Sequence, residues 1–183
     1  MPVPPRPGSR PGSAALRRPF RLAEVTAERL DQLAGWWSSA DEVLAWGGPE
    51  FRWPFDDDSF RDDLRLQANT SRFLVDSRGR TLAFGQSYGR GGRLHLARLA
   101  VAPDRRGAGV GGELIRRLIR LGGAGDRSLE TSLFVLAENS AAIRCYEREG
   151  FRRTSMPAGE GWLDRLGGRE VLFMVRPADR APT

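Results

Sequence analysis

Residues 97–120, "ARLAVAPDRRGAGVGGELIRRLIR", constrain the fold more than any other stretch of the chain. An apolar run ends at Val101, passes Pro103, and enters a turn holding Gly107, Gly109, Gly111 and Gly112. Beyond it Val110, Leu114, Leu118 and Leu121 repeat at the 3.6-residue period of one helix face, which predicts a helix over 108–121. Glycine lets a ligand approach the backbone closely, since no Cβ stands in the way. Amides at a helix start lack intrahelical partners and together attract an anion. The junction therefore reads either as a tight strand-to-helix connection or as a cradle for phosphate. Two phosphate motifs are excluded. A nucleotide P-loop needs a Lys-Ser/Thr pair where Gly112-Glu113 stands, and the glycine spacing misses the dinucleotide fingerprint.

A chain of 183 residues suits one domain with a proper core. Residues 1–19 are rich in Pro, Gly, Ser and Arg and have little to bury, so they read as a basic tail without the apolar stretch of a secretory signal. A single domain is expected over 20–178, with a short tail at 179–183. No run of about 18 apolar residues offers a membrane span, so a cytoplasmic protein with no membrane partner is expected. The formal charge is +6, and Arg6, Arg10, Arg17 and Arg18 of the tail supply four of those charges. A specific nucleic-acid partner is therefore not expected. Cys145 is the only cysteine and His95 the only histidine, which argues against disulfides, His-based metal sites and the usual catalytic triads. No metal is expected.

Along the chain, 20–26 suits a strand, 26–48 one or two helices, and a helix near 57–68 follows a proline-marked loop. The alternating segments 72–77 and 81–89 flank "RGR" as a hairpin, and 93–101 is a further strand. A strand over 128–137 precedes a helix over 139–150, capped by Asn139 and ended by Gly150. Strands at 151–156 and 170–176 close the sheet. The order predicts a mixed α/β fold with a sheet of about seven strands.

Two motifs carry a resemblance. Arg106-Gly107-Ala108-Gly109-Val110-Gly111 resembles the Arg/Gln-x-x-Gly-x-Gly/Ala signature of the GNAT superfamily of N-acetyltransferases. Asn139, Ala142, Tyr146, Gly150 and Phe151 resemble the family's N-x-x-A-x-x-x-Y-x-x-x-G-F helix. The likeness covers roughly residues 72–155. It implies a mostly antiparallel sheet whose fourth and fifth strands splay apart, and direct transfer of acetyl from acetyl-CoA to a primary amine in a ternary complex. The backbone of Leu99, Ala100 and Val101 would then receive the pantetheine arm. Arg106, Gly107, Ala108, Gly109, Val110, Gly111 and Gly112 would hold the pyrophosphate, and Asn139 would touch the pantetheine. The acceptor would be a small-molecule or peptide amine, and the family allows a homodimer through the late strands.

Tyr146 takes the family position of the acid that protonates the departing thiolate, although a helix aromatic packed on the sheet reads the same way. His95 resembles a base histidine that some members, arylalkylamine acetyltransferases among them, carry on the fourth strand. It is read at the same parity as Ala97, Leu99 and Val101. The glutamates that other members use are replaced by Arg93 and Phe134, leaving Glu130 or a water chain as alternatives. That gap keeps a second reading open, a non-catalytic acyl-CoA sensor. Cys145 reads as a small buried residue. The aromatic group Trp36, Trp37, Trp46, Phe51, Trp53 and Phe55, beside Asp56, Asp57 and Asp58, reads either as core aromatics next to helix-start acids or as an acceptor wall in which one or two residues offer a cationic amine charge and π-faces, with Trp162 as a further candidate.

Overall fold

A computed structural model describes residues 20–123 and 129–178. The expected tails at 1–19 and 179–183, and Ser128 at the start of a predicted strand, lie outside the described residues. The elements are β1 (Arg21–Ala23), α1 (Ala27–Ala34), α2 (Ala40–Gly47), α3 (Asp57–Leu64), β2 (Thr70–Val75), β3 (Thr81–Arg90), β4 (Arg93–Val101), α4 (Val110–Gly122), β5 (Thr131–Leu136), α5 (Ser140–Arg148), β6 (Arg152–Thr154) and β7 (Val171–Arg176). Short 3₁₀ turns cover Pro103–Arg105 and Gly161–Leu166. The sheet has seven strands in the order β1-β2-β3-β4-β5-β7-β6. Among the described residues only β4 and β5 pair in parallel.

Local chemistry sets the boundaries. The Thr26 side chain accepts from the Arg29 amide, so the chain turns into α1 there and the first strand is shorter than 20–26. Of the one or two helices expected over 26–48 there are two, because Ser39 caps a fresh start through the Glu42 amide. The third helix stops at Leu64 rather than 68, where Arg65 takes a left-handed conformation with φ 50°. In α4 the buried stripe is Val110, Leu114, Ile115 and Leu118, while Leu121 is exposed.

Each face of the sheet buries its own core. Leu114, Ile115 and Leu118 of α4 and Ile143 of α5 pack on Leu74, Leu96, Leu133 and Met174. On the opposite face Leu33, Val43, Phe60 and Leu64 of the first three helices cover Phe73, Val75 and Phe84. Gly85 lets α4 lie close on β3: a Cβ there would come within 2.7 Å of Leu118 and 2.8 Å of Leu99. Among the described residues no helix is long and apolar enough to cross a membrane.

Candidate active site

The site begins with two irregularities in β4. First, its ladder with β5 has only two rungs, Leu94 to Thr131 and His95 to Ser132. From Leu96 and Leu133 onward the strands part, so the predicted splay is present. Second, Gln86 faces Ala97 and Phe84 faces Ala100, so Gly85 of β3 opposes two residues of β4. Arg98 sits in this bulge with φ 47°, an uncommon conformation for a residue with a side chain.

The bulge reverses side-chain parity. Leu94 and Leu96 face α4 before it, and Leu99 and Val101 do so after it. His95 therefore does not share a face with Leu99 and Val101, contrary to the simple alternation read from the sequence. It points to the opposite side, with its ring centre 5.2 Å from that of Tyr88 and 5.1 Å from that of Phe134.

On the α4 side the splay opens into a cleft of about 870 Å³. Leu99, Ala100, Val101, Arg106, Gly107, Gly109, Gly111, Gly112, Asn139 and Tyr146 line it together. Ala108 and Val110 do not. The Ala108 amide donates to the Arg105 carbonyl within the turn, and the Val110 side chain is in the core. Gly107 and Gly109 both have φ 79°, with open space where a Cβ would stand. No side chain caps α4, whereas Thr26, Ser39, Asp56 and Asn139 cap the other helices. The first amides of α4 are thus left for something in the cleft to accept from. Arg106 Nε reaches back to the Val101 carbonyl at 3.4 Å, tying the turn to the end of β4.

Asn139 Oδ1 accepts from the Ala142 amide at 3.1 Å, which leaves its own N–H groups uncommitted by the cap. Tyr146 is half-buried, its ring centre 6.1 Å from that of Phe151. Burial pushes its phenol well above the ordinary value. Burial also raises the Cys145 thiol, so this thiol is not activated as a nucleophile.

A second cleft, of about 310 Å³, opens on the other face between α2, the Gly161–Leu166 turn and the splay. Trp46, Tyr88, His95, Phe134 and Trp162 supply its rings. The two clefts share Leu96, Ala97 and Arg98 of β4 and Phe134, Val135 and Leu136 of β5, so they meet through the splay.

Of the predicted aromatic wall, only Trp37, Trp46 and Trp162 line a cleft. Trp36, Phe51 and Phe55 pack with the core under the first helices, and Trp53, 39% exposed, lines neither cleft. The acidic triplet is also a correction. Asp56 closes a capping box with Ser59, and Asp57 and Asp58 occupy the first turn of α3, where carboxylates offset the helix dipole. Glu130 binds Arg93 Nε at 2.8 Å at the closed end of the β4–β5 pair and lines neither cleft. Sequence reasoning missed Tyr88 and Arg98. The signal for Arg98 was present, since Leu94, Leu96, Leu99 and Val101 are spaced two, three and two apart.

His95 is 3% exposed, and its Nδ1 lies 2.9 Å from Ser132 Oγ. Burial, with the nearby Arg90 cation, lowers its pKa to about 4 against the opposing pull of Glu160. The folded protein thus prefers the neutral imidazole. Its contribution to stability is full above the unfolded value of about 6.5 and is lost as pH falls from there towards 4. Between pH 7 and pH 5 the unfolding free energy is expected to drop by about 2 kcal/mol from this residue. His95→Gln should remove that part of the pH dependence in urea titrations, and an unchanged slope would refute the assignment.

Among the described residues no cluster of three His, Cys, Asp or Glu side chains is placed to hold a metal ion. The model of the acetyltransferase (GNAT) family matches residues 40–151. Solved structures share the architecture. A spermidine N-acetyltransferase from Vibrio cholerae, in complex with CoA and spermine, superposes with a TM-score of 0.65 at 16% identity, over 87% of this chain and 95% of that one. The aminoglycoside acetyltransferase AAC(6')-Ib, with ribostamycin and coenzyme A, gives 0.63 at 25% identity, over 86% and 93%. The family match covers more than half of the sequence, and the chain belongs to the GNAT family of acetyltransferases.

Proposed function

We propose that the protein transfers an acetyl group from acetyl-CoA to a primary amine by direct attack in a ternary complex. The observation that carries this reading is the meeting of two clefts, one on each face of the sheet, through the splay of β4 and β5. Acetyl-CoA is the cosubstrate of the family, and the α4-side cleft has the features to take it. Leu99, Ala100 and Val101 offer a strand edge that the splay leaves unpaired on the β5 side, and the turn from Arg106 to Gly112 offers uncapped amides to a pyrophosphate. The thioester would reach the opening, and the amine would enter from the other face. The two neighbours bind spermine and ribostamycin, both amines, in their own structures.

Attack needs an unprotonated nitrogen, and collapse of the tetrahedral intermediate needs a proton for the thiolate. Tyr146 is the proton donor in this reading. It lines the donor cleft, and its raised pKa keeps the phenol protonated throughout the neutral range. His95 lies on the amine side. With a pKa of about 4 it is neutral at pH 7, able to accept a hydrogen bond and pass a proton onward but not to retain it. The absence of a carboxylate at Arg93 and Phe134 favours the sensor alternative, in which binding occurs without turnover.

Thermal unfolding with acetyl-CoA, CoA and ATP is the first test. Acetyl-CoA at about 100 times its dissociation constant should add about 2.7 kcal/mol of stability, and ATP much less. Thiol release from acetyl-CoA should then require an amine. No shift with either CoA form would remove the reading. Binding without turnover across a broad amine panel would leave the sensor.

A further inference from the structure

We infer that the acceptor carries a carboxylate close to its amine, as an amino acid or another small amino carboxylate does, and that Arg98 binds it. The inference rests on the transfer reading above and names the substrate class for the same site.

Three arginines, Arg65, Arg90 and Arg98, line the acceptor cleft, against a single lining carboxylate, Glu50. Glu50 is held between Arg65 and Arg165, at 2.7 Å each. The other acids that face this region are also committed. Asp63 is gripped by Arg52 through bonds of 2.8–3.1 Å, and Glu160 binds Arg90 and the indole N–H of Trp162. Arg98 alone of the three has no carboxylate within 4.0 Å among the described residues. Its Nη1 donates to Gln86 Oε1 at 2.7 Å, and Phe51 lies 5.7 Å from its guanidinium carbon. Gln86 is itself fixed, its amide donating to the Leu64 carbonyl and Ser71 Oγ, so it orients the guanidinium without neutralising it.

Unsatisfied donors point the same way. Arg98 Nε is buried with no partner, and so is Trp46 Nε1, on a residue of the same cleft. A buried donor without an acceptor is unfavourable by itself, and a carboxylate is the acceptor that a guanidinium binds most strongly. The backbone adds a third indication. Arg98 holds φ 47° at the bulge where the two clefts meet, which places its side chain among the residues that line both.

A carboxylate also fits the chemistry of attack. A bare ammonium or a polyamine would meet an uncompensated cation at the wall. A zwitterion presents its carboxylate to Arg98, so that the pair neutralises the cation and holds the amine nearby. Arg98 is three positions from His95 along β4, so a carboxylate there leaves an adjacent amine beside the splay.

Matched triples test this. The twenty amino acids, their carboxamides and their decarboxylated amines are assayed with acetyl-CoA by thiol release. For the preferred side chain the carboxylate form should exceed both relatives in kcat/KM by at least about tenfold, mainly through KM, as expected for a hydrogen bond to a charged group. Arg98→Asn, which tolerates positive φ, should bring that ratio close to one, and Arg98→Lys should restore part of it. The acetyl-CoA thermal shift reports that each variant folds. Acetylation with no preference for the carboxylate overturns the inference and leaves the transfer reading standing. Equal losses for all three forms in the Arg98 variants make Arg98 a framework residue and also overturn it. Acetyl-CoA binding with no amino acid turned over overturns it again, and absence of any acetyl-CoA shift removes the transfer reading together with it.

Discussion

Tyr146→Phe should lower kcat by about 100-fold while leaving acetyl-CoA binding intact, the lower end of what a positioned general acid contributes. The substitution removes one oxygen and keeps the ring against Phe151 and the core beneath α5. A change of that kind should alter stability by less than about 1.5 kcal/mol. The acetyl-CoA thermal shift should therefore match that of the unmodified protein, and the loss should appear in turnover. The pH profile adds an independent check. Burial raises the phenol's pKa, so Tyr146 stays protonated as pH rises from 7 to 10 and should impose no alkaline decline in kcat. A kcat within threefold of the unmodified value would make Tyr146 a packing aromatic and leave the thiolate to be protonated by solvent.

Gly109→Val should weaken acetyl-CoA binding by about 30-fold, the scale of losing one or two hydrogen bonds to a charged group. Gly109 stands immediately before α4 with φ 79°, and a β-branched residue strongly disfavours that conformation. Nothing lies within 4 Å of the position a Cβ would take, so the obstacle is conformational and not a clash within the protein. The turn would relax, and Gly111 and Gly112 would shift from the positions in which they line the cleft. Gly109→Asn separates the two effects, since asparagine tolerates the left-handed region. It should keep most of the affinity. Isothermal titration with acetyl-CoA decides the matter. Equal losses in both variants would mean that the ligand itself needs the space above Gly109.

The sequence carried the fold at the places where local and global signals agree. The hairpin read over 72–77 and 81–89 appears as β2 at 70–75 and β3 at 81–90, both buried nearly throughout without alternating; the helix period holds at Val110, Leu114 and Leu118 but not at Leu121, and the Asn139 cap appears as read. Part of the donor cleft was readable for the same reason: the residues read for it lie on one contiguous strand-turn-helix unit and one further helix, whereas Trp37, Glu42, Trp46 and the β5 residues Leu133 to Leu136 also line it. The acceptor cleft was not, because α2, β3, β5 and the Gly161–Leu166 turn bring its residues together from distant parts of the chain. Asp56, Asp57 and Asp58 admitted two readings for a physical reason. A helix start and a cation site ask for the same residues, and only the capping box with Ser59 distinguishes them. The parity of His95 failed on one inserted residue, although the odd step from Leu96 to Leu99 marks the bulge in the sequence itself.

The two-rung ladder between β4 and β5 gives the sheet a seam. On one side β1 to β4 form a continuous antiparallel leaf, and on the other β5, β7 and β6 form a second. Most of the backbone bonds that would join the leaves are missing from the protein alone, and in the proposed complex the pantetheine arm lies along that gap. The cosubstrate would then serve as mortar as well as reagent, so that closing the fold and loading the enzyme become one event.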